Sequence, residues 1–280
     1  MKINLAKTAG FCFGVKRAID IALKTAESRN NVCMLGDIVH NEIVVKEIEK
    51  SGIKKIKKLT KGRDKILLIR AHGLDHKTLR KASGLGYDII DATCPMVKEI
   101  HNIANKMEGK CGTIIVIGDK KHDEVKGIVG QLKNKAIIID NITNIPLKRI
   151  KNIKSACVVV QSTQNLEKVI KIVKALKIYI KNLKFFNTIC RPTRMKQEEI
   201  RKMPKANDIM IIIGSKNSAN TKRLFEISKA LNKKSYWINS EREIKPGWFK
   251  GAESAGVTAG ASTPESTIQD IIKQIKKYSN

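Results

Sequence analysis

Short apolar runs rich in isoleucine and valine, each followed by a polar loop and then by an amphipathic helical pattern, recur along the whole chain. The clearest runs span residues 65–70, 113–117, 156–160 and 208–213. Short runs of β-branched residues favour buried strands, and their alternation with helices predicts an α/β fold with parallel sheets. In such folds, ligands bind at the loops that follow the strands.

Three of the six cysteines occupy equivalent places in this pattern. Cys12, Cys94 and Cys190 each end an apolar run and lie just before a predicted helix, at nearly equal spacing. This loose internal repeat predicts three similar small α/β domains that face a shared centre. The predicted divisions are 1–12 for an N-terminal strand that packs centrally, then 13–94, 95–189 and 190–280 for the three domains.

Cysteine usage and hydropathy indicate a reduced protein outside the membrane. The 280-residue chain is 42% apolar and contains no C-x-x-C motif, no secretory apolar segment near its start, and no apolar run approaching the roughly 18 residues that span a bilayer. We therefore expect a cytoplasmic protein without a disulfide framework. Cys33, Cys111 and Cys157 are expected to be small buried hydrophobic residues.

The formal charge of +29 raises the question of nucleic-acid binding. Lysine is spread through almost every segment, aromatic residues make up only 4% of the chain, and no basic stripe alternates with rings that would stack on bases. This distribution argues against nucleic acid as the principal ligand. It favours an acidic protein or a phosphorylated small molecule as the partner.

Cys12, Cys94 and Cys190 are candidate ligands of one metal centre. Three thiolates suit a 4Fe-4S cluster with one iron left open, since such clusters are held by cysteine. Zinc bound by three cysteines and a histidine is an alternative, although structural zinc sites usually contain closely spaced ligand pairs. A non-catalytic or nucleic-acid-associated protein with structural cysteines is a second alternative.

Other loops supply groups suited to an anion. His40, His72 and His122 lie in loops that follow predicted strands, and the segment 118–127 around His122 is predicted to be a polar loop. The small polar residues that precede predicted helices are Ser218, Asn220 and Ser262. Imidazole, hydroxyl and backbone N–H groups at such places bind phosphate oxygens. The two serines also fit simple helix caps, the second of them in a capping box over residues 262–265.

A carboxylate follows one of these histidines. Glu124, two residues after His122, is the candidate proton donor, and Ser162 or Thr163 is a candidate to relay or orient the proton. The alternative for Glu124 is an ordinary solvated carboxylate among lysines. The sequence contains neither a G-x-G-x-x-G turn nor a Walker-type phosphate loop, so nucleotide and nicotinamide binding have no support.

Several segments, in order along the chain, carry a family resemblance. They are Ala9-Gly10-Phe11-Cys12-Phe13-Gly14-Val15 with Arg17-Ala18, Val39-His40-Asn41, Ala71-His72-Gly73, Asp91-Ala92-Thr93-Cys94-Pro95, His122-Asp123-Glu124-Val125 with Gly127, Thr188-Ile189-Cys190, Gly214-Ser215-Lys216-Asn217-Ser218 with Asn220, and Thr258-Ala259-Gly260-Ala261-Ser262. Together they resemble the 4-hydroxy-3-methylbut-2-enyl diphosphate reductase family, also called LytB.

The resemblance implies a trefoil of three parallel-sheet α/β domains around one 4Fe-4S cluster per chain, bound by Cys12, Cys94 and Cys190. It also implies a pocket for an allylic diphosphate, built from loop residues. These are His40, His72, His122, Ser162, Thr163, Ser218, Asn220 and Ser262.

The implied reaction is reductive dehydroxylation of 4-hydroxy-3-methylbut-2-enyl diphosphate to isopentenyl and dimethylallyl diphosphate, the last step of the methylerythritol phosphate route to isoprenoids. The substrate alcohol would bind the open iron, two electrons would arrive one at a time, and Glu124, helped by Ser162 or Thr163, would donate protons. The implied electron donor is a reduced ferredoxin or flavodoxin, which a basic surface would attract. We expect a monomer, with neither nucleic acid nor a membrane as partner.

Three positions depart from the family pattern. Ala219 stands where a second serine is frequent, so one phosphate contact is in doubt. Ser162 stands where threonine is usual and keeps the hydroxyl. Asp123 stands where proline is frequent, with no chemical consequence evident from the sequence.

Overall fold

Parallel strands connected by helices make up the structure, a computed structural model that describes residues 1–278. Every strand pair in it is parallel. The strands are β1 (Lys2–Leu5), β2 (Val32–Leu35), β3 (Lys54–Ile56), β4 (Ile66–Ile69), β5 (Asp88–Asp91), β6 (Ile114–Ile117), β7 (Ile137–Ile139), β8 (Ser155–Val160), β9 (Asn182–Phe185), β10 (Ile209–Ile213), β11 (Ser235–Ile238) and β12 (Ser254–Ala259).

The connections between strands are mostly helical. The α-helices in the described part of the chain are α1 (Phe13–Ser28), α2 (Glu42–Lys50), α3 (His76–Gly84), α4 (Pro95–Cys111), α5 (Asp123–Val129), α6 (Leu147–Ile150), α7 (Leu166–Tyr179), α8 (Arg191–Lys202), α9 (Ala219–Leu231) and α10 (Glu265–Lys277). None of the helices within residues 1–278 combines the length and the apolar character needed to cross a membrane.

Three four-stranded sheets share one topology. The first sheet has the order β3-β2-β4-β5, the second β7-β6-β8-β9 and the third β11-β10-β12-β1. When the strands of each sheet are numbered 1 to 4 in sequence order, the first two sheets have the spatial order 2-1-3-4. The third sheet has the same order if the N-terminal strand β1 is counted as its fourth strand. The α/β class with three parallel sheets is therefore confirmed, and β1 lies at an edge of its sheet.

Each sheet is covered by apolar side chains on both faces. In β6, Ile115 and Ile117 belong to one core and Ile114 and Val116 to another, because successive side chains of a strand point to opposite faces. The third sheet repeats this arrangement along β10. A strand that is buried on both faces has a continuous run of apolar residues, which explains why these strands could be predicted from the sequence.

The chain divides into two compact units. Unit 1 contains Met1–Lys16, Val39–Glu47 and the described residues from Arg191 onward, and it includes the third sheet. Unit 2 contains Arg17–Ile38 and Ile48–Cys190, and it includes the first and second sheets. The boundaries at 13–94, 95–189 and 190–280 stay a prediction.

Two cysteines expected to be unlinked form a pair. Cys111 and Cys157 are buried as predicted, but the structure joins them in a disulfide, with their Cα atoms 5.7 Å apart. Cys111 ends α4, which packs against β8, and Cys157 lies in that strand. The pairing follows from packing between elements distant in sequence, so cysteine spacing gave no sign of it. Cys33 is buried as expected.

Candidate functional site

Cys12, Cys94 and Cys190 take equivalent places in the three sheets. Each follows the fourth strand of a sheet and directly precedes the first residue of a helix, which is α1, α4 or α8. All three thiols are partly exposed. Thiolates are stabilised at helix N-termini because the backbone N–H groups and the helix dipole favour negative charge there.

The backbone N–H of each cysteine is also held in an equivalent way. It donates to a carbonyl in the loop after the third strand of the same sheet: Cys12 to Ala261 (3.1 Å), Cys94 to Ala71 (3.0 Å) and Cys190 to Ser162 (3.1 Å). Thiolate sulfur is a soft donor that suits iron or an iron-sulfur cluster, and each of these thiols is partly exposed on a backbone held by a hydrogen bond. The donor chemistry therefore fits the cluster that the resemblance implies.

Glu124 lies in the first turn of α5 and is 2% exposed. The backbone N–H of Ser162 donates to its Oε1 (2.6 Å), and the Ser162 hydroxyl donates to its Oε2 (2.8 Å). Burial raises the pKa of Glu124, the two bonds from Ser162 lower it, and the charge of Asp119 raises it again, giving about 7. The interpretation of Glu124 as a solvated surface carboxylate is wrong, because the helix turns it inward onto the loop after β8.

The two candidate relay residues have different contacts. Ser162 bonds Glu124 directly, whereas the hydroxyl of Thr163 accepts a hydrogen bond from Gln161 Nε2 at 3.2 Å. Gln161 Oε1 in turn accepts from the backbone N–H of Asp119 at 2.9 Å. Thus Ser162 contacts Glu124, the candidate proton donor, and Thr163 belongs to a neighbouring hydrogen-bond network in the loop after β8.

His122 is the N-cap of α5, and its Nδ1 accepts from the backbone N–H of Glu124 at 3.1 Å. The neutral ring therefore carries its proton on Nε2, which can donate to an anion. The ring of His72 lies edge-on to it, with centroids 5.4 Å apart. Gly127 favours close packing of α5 on the backbone of the His72 loop, since a Cβ there would lie 3.2 Å from the His72 carbonyl oxygen.

Asp123 has a structural role that the sequence did not reveal. Its carboxylate accepts from Arg70 Nη1 at 2.7 Å, so the first turn of α5 is tied to the end of β4, two residues before His72. The side chain that departs from the family pattern thus connects the two loops that carry His72 and His122.

In unit 1, Ser218 and Ser262 behave differently from each other. Ser218 is the N-cap of α9, and its hydroxyl accepts from the backbone N–H of Thr221 at 3.3 Å. The capping box predicted for Ser262 is wrong, because the N-cap of α10 is Pro264 and no side chain within residues 1–278 caps that helix. The Ser262 hydroxyl instead donates to the carbonyl of His40 at 3.1 Å, which holds the His40 loop.

Asn220 is buried in the first turn of α9 and is 4% exposed. Within residues 1–278, neither Oδ1 nor Nδ2 of its amide has a hydrogen-bond partner. An unsatisfied buried amide is costly, and a polar ligand that bonds to it removes that cost. This side chain is therefore suited to an anion such as a phosphate.

Glu42 is a further residue of this region that the sequence reasoning missed. It begins α2, two residues after His40, and its Oε1 accepts from the Ser215 hydroxyl (2.8 Å) and from Asn217 Nδ2 (3.0 Å). Glu42 thereby ties the His40 segment to the loop that leads to Ser218. Only the acidic first-turn position of Glu42 hinted at a role, because its partners lie far away in the sequence.

Comparisons with known proteins show which family the chain resembles. The LytB protein family matches residues 3–276. A 4-hydroxy-3-methylbut-2-enyl diphosphate reductase of Campylobacter hominis is 42% identical over 277 residues, covering 98% of each chain. One of Geobacter sulfurreducens is 38% identical over 280 residues, covering 100% of this chain and 99% of the relative.

Two solved structures are also similar. One is a structure of (E)-4-hydroxy-3-methyl-but-2-enyl diphosphate reductase, the terminal enzyme of the non-mevalonate pathway, with a TM-score of 0.72, 35% identity and coverage of 99% of this chain and 100% of that one. The other is the Plasmodium falciparum reductase, with a TM-score of 0.89, 29% identity and coverage of 97% and 87%. Because family, sequence and fold agree over nearly the whole chain, the chain belongs to the LytB family of 4-hydroxy-3-methylbut-2-enyl diphosphate reductases.

Proposed function

We propose that the chain catalyses the reductive dehydroxylation of 4-hydroxy-3-methylbut-2-enyl diphosphate to isopentenyl and dimethylallyl diphosphate, as the terminal step of the non-mevalonate pathway. The reaction consumes two electrons and two protons and releases water. The observation that carries the proposal is the buried carboxyl of Glu124, which has a pKa of about 7 and lies two residues from His122. Near neutral pH such a group is partly protonated and can donate.

Cys12, Cys94 and Cys190 would hold one 4Fe-4S cluster per chain. When bound, the cluster would pass electrons one at a time and would offer an open iron that polarises the carbon–oxygen bond of the substrate alcohol. The equivalent positions of the three thiols, each fixed by a backbone hydrogen bond, support this assignment.

Two groups of side chains would bind the diphosphate. His72 and His122 belong to unit 2. The members from unit 1 are His40, Ser218, Asn220 and Ser262. The Nε2 proton of His122 and the amide of Asn220, which has no partner within residues 1–278, support the proposal because both groups can donate to phosphate oxygens.

Glu124 would protonate the departing hydroxyl group. The backbone N–H of Ser162 bonds to one oxygen of its carboxyl group, and the Ser162 hydroxyl bonds to the other, so Ser162 orients the acid and is the nearer candidate for a proton relay. Thr163 would act through the order it gives to the same loop. Burial supports the role, because it keeps the carboxyl group neutral at a pH at which an exposed glutamate has lost its proton.

The electrons would come from a reduced ferredoxin or flavodoxin, and the enzyme would act as a monomer. The net charge of +29 supports an acidic electron carrier, because opposite charges speed association at low ionic strength.

Turnover by the reconstituted protein tests the proposal. Protein loaded anaerobically with iron and sulfide should convert the substrate to both products with a chemical reductant. The Glu124→Gln variant should keep the cluster and lose turnover, whereas Glu198→Gln, an exposed change on α8, should leave the rate unchanged. Absence of turnover in fully loaded wild type, or wild-type rates in Glu124→Gln, would contradict the proposal.

A further inference from the structure

Lys196 is a charged side chain in an unusual position. It lies on α8 and is 3% exposed, although lysine is seldom buried unless its charge is compensated. Its ammonium group donates to the carbonyl oxygens of Thr8, Gly10 (3.0 Å) and Ala259 (3.2 Å). An ammonium group has three donors, so these three carbonyls match its hydrogen-bonding capacity.

Glu199 lies one turn further along α8 and contacts the same backbone segment. Its carboxylate accepts from the backbone N–H groups of Lys7 (2.7 Å) and Thr8 (3.0 Å) and from the Thr8 hydroxyl (2.5 Å). Burial raises the pKa of Glu199, but the bonds from Thr8 and Lys7 and the charge of Lys196 outweigh that effect, so the pKa lies below its ordinary value. The carboxylate is therefore ionised at neutral pH.

Lys196 and Glu199 bond to opposite kinds of backbone group in one loop, Lys196 to carbonyl oxygens and Glu199 to N–H groups. Residues 7–10 connect β1 to Cys12, and side chains of α8 bond both N–H and C=O groups of this segment. Gly10 has φ +85°, a left-handed conformation that other residues rarely adopt. We call Lys196 and Glu199 the α8 clamp.

The clamp acts on the part of the chain that sets the position of Cys12. Gly10, whose carbonyl bonds Lys196, lies two residues before Cys12. Ala259, which also accepts from Lys196, is the last residue of β12 and lies two residues before Ala261, whose carbonyl accepts from the Cys12 N–H. The Lys196 ammonium group thus bonds both to the segment just before Cys12 and to the end of β12, which leads to the acceptor of the Cys12 N–H.

We propose that Lys196 and Glu199 are positioning residues that hold the segment 7–10 so that the Cys12 thiol is placed for metal ligation before any metal binds. This inference rests on the proposed role of Cys12 as a cluster ligand. Preorganised ligands bind a metal more tightly because ordering the loop costs no free energy at the moment of binding.

Hydrogen exchange of the metal-free protein tests the clamp without any cluster. Exchange of a peptide covering residues 6–13 should be about tenfold faster in Lys196→Met than in wild type, because the loop opens more often once its carbonyls lose their donor. Glu199→Gln should show a smaller increase confined to residues 7 and 8. Lys202→Met and Glu198→Gln are exposed changes on the same helix and should exchange like wild type.

Iron loading then separates this inference from the proposed function. After anaerobic reconstitution, Lys196→Met should retain about tenfold less iron than wild type during dialysis against a chelator, and Lys196→Arg, which keeps a cation and several donors, should recover part of the loss. The electron paramagnetic resonance spectrum of the reduced cluster should also be altered in Lys196→Met.

Unchanged exchange of residues 6–13 in Lys196→Met, in protein that melts like the Lys202→Met control, would overturn the clamp. Wild-type iron retention in Lys196→Met would overturn it as well. If wild type itself takes up no iron, the proposed function fails, and the exchange measurement still decides whether α8 holds the loop.

Discussion

Replacing Glu124 with glutamine should remove a pH-dependent loss of stability. Glu124 is 2% exposed, and Ser162 bonds to both of its carboxyl oxygens. Burial raises its pKa, Ser162 lowers it and Asp119 raises it again, to about 7 against an ordinary value of 4.5. The folded state therefore binds the Glu124 proton more tightly than the unfolded state does.

The sign and size of the effect follow from this difference. The stabilisation from proton binding is fully present below the unfolded-state pKa and is lost as the pH rises through about 7. The difference between the two pKa values corresponds to roughly 3 kcal/mol at full ionisation. Glutamine does not ionise, and it can accept from the Ser162 N–H through Oε1 and donate to the Ser162 hydroxyl through Nε2.

Urea unfolding of metal-free protein measures the effect. Between about pH 5 and about pH 8.5, the free energy of unfolding of wild type should fall by roughly 2–3 kcal/mol relative to Glu124→Gln. Glu198→Gln removes an exposed carboxylate of the same type and should follow the wild-type curve. If wild type and Glu124→Gln show parallel pH profiles, Glu124 ionises normally and the argument from burial is refuted.

Three further substitutions test the site and its support. Glu42→Ala removes the acceptor of Ser215 and Asn217, so the KM for the diphosphate should rise about tenfold in steady-state assays with a smaller change in kcat. Gly73→Ala should cost about 1–3 kcal/mol in urea unfolding, because φ is +75° and the new Cβ would lie 2.8 Å from His101 Cε1. Ile115→Ala in the fully buried β6 should cost about 2–5 kcal/mol in the same assay.

The buried strands were predictable because each appears in the sequence as a short run of apolar residues. Residues 209–213 form a continuous apolar run and are entirely buried, and the predicted and observed limits of β10 differ by one residue. The short β3 was missed because Lys54 and Lys55 give it no apolar run. Helix α5 was missed because its N-cap is His122, which is not a usual capping residue, and because glycine lies in its last turns.

The candidate site was predictable only for residues whose side chains are reactive or can bind a metal or an anion. The partly exposed thiols and the loop histidines could be singled out by type and position. The contacts of Glu42 and Lys196 could not, because Ser215 lies 173 residues from Glu42 in the chain and Thr8 lies 188 residues from Lys196. The helix-cap interpretation of Ser262 was wrong for the same reason, since its hydroxyl donates to the carbonyl of His40 and does not cap its own helix.

Iron and sulfide analysis after anaerobic reconstitution tests the central claim that Cys12, Cys94 and Cys190 bind one cluster. Wild type should bind about four irons and four sulfides per chain and show a broad brown absorption. Each single change of these cysteines to serine should reduce iron binding strongly, whereas Cys33→Ser, at a buried position in β2, should leave it unchanged. Wild-type iron content in Cys12→Ser, Cys94→Ser or Cys190→Ser, or an iron-free wild type that still reduces the substrate, would contradict the account.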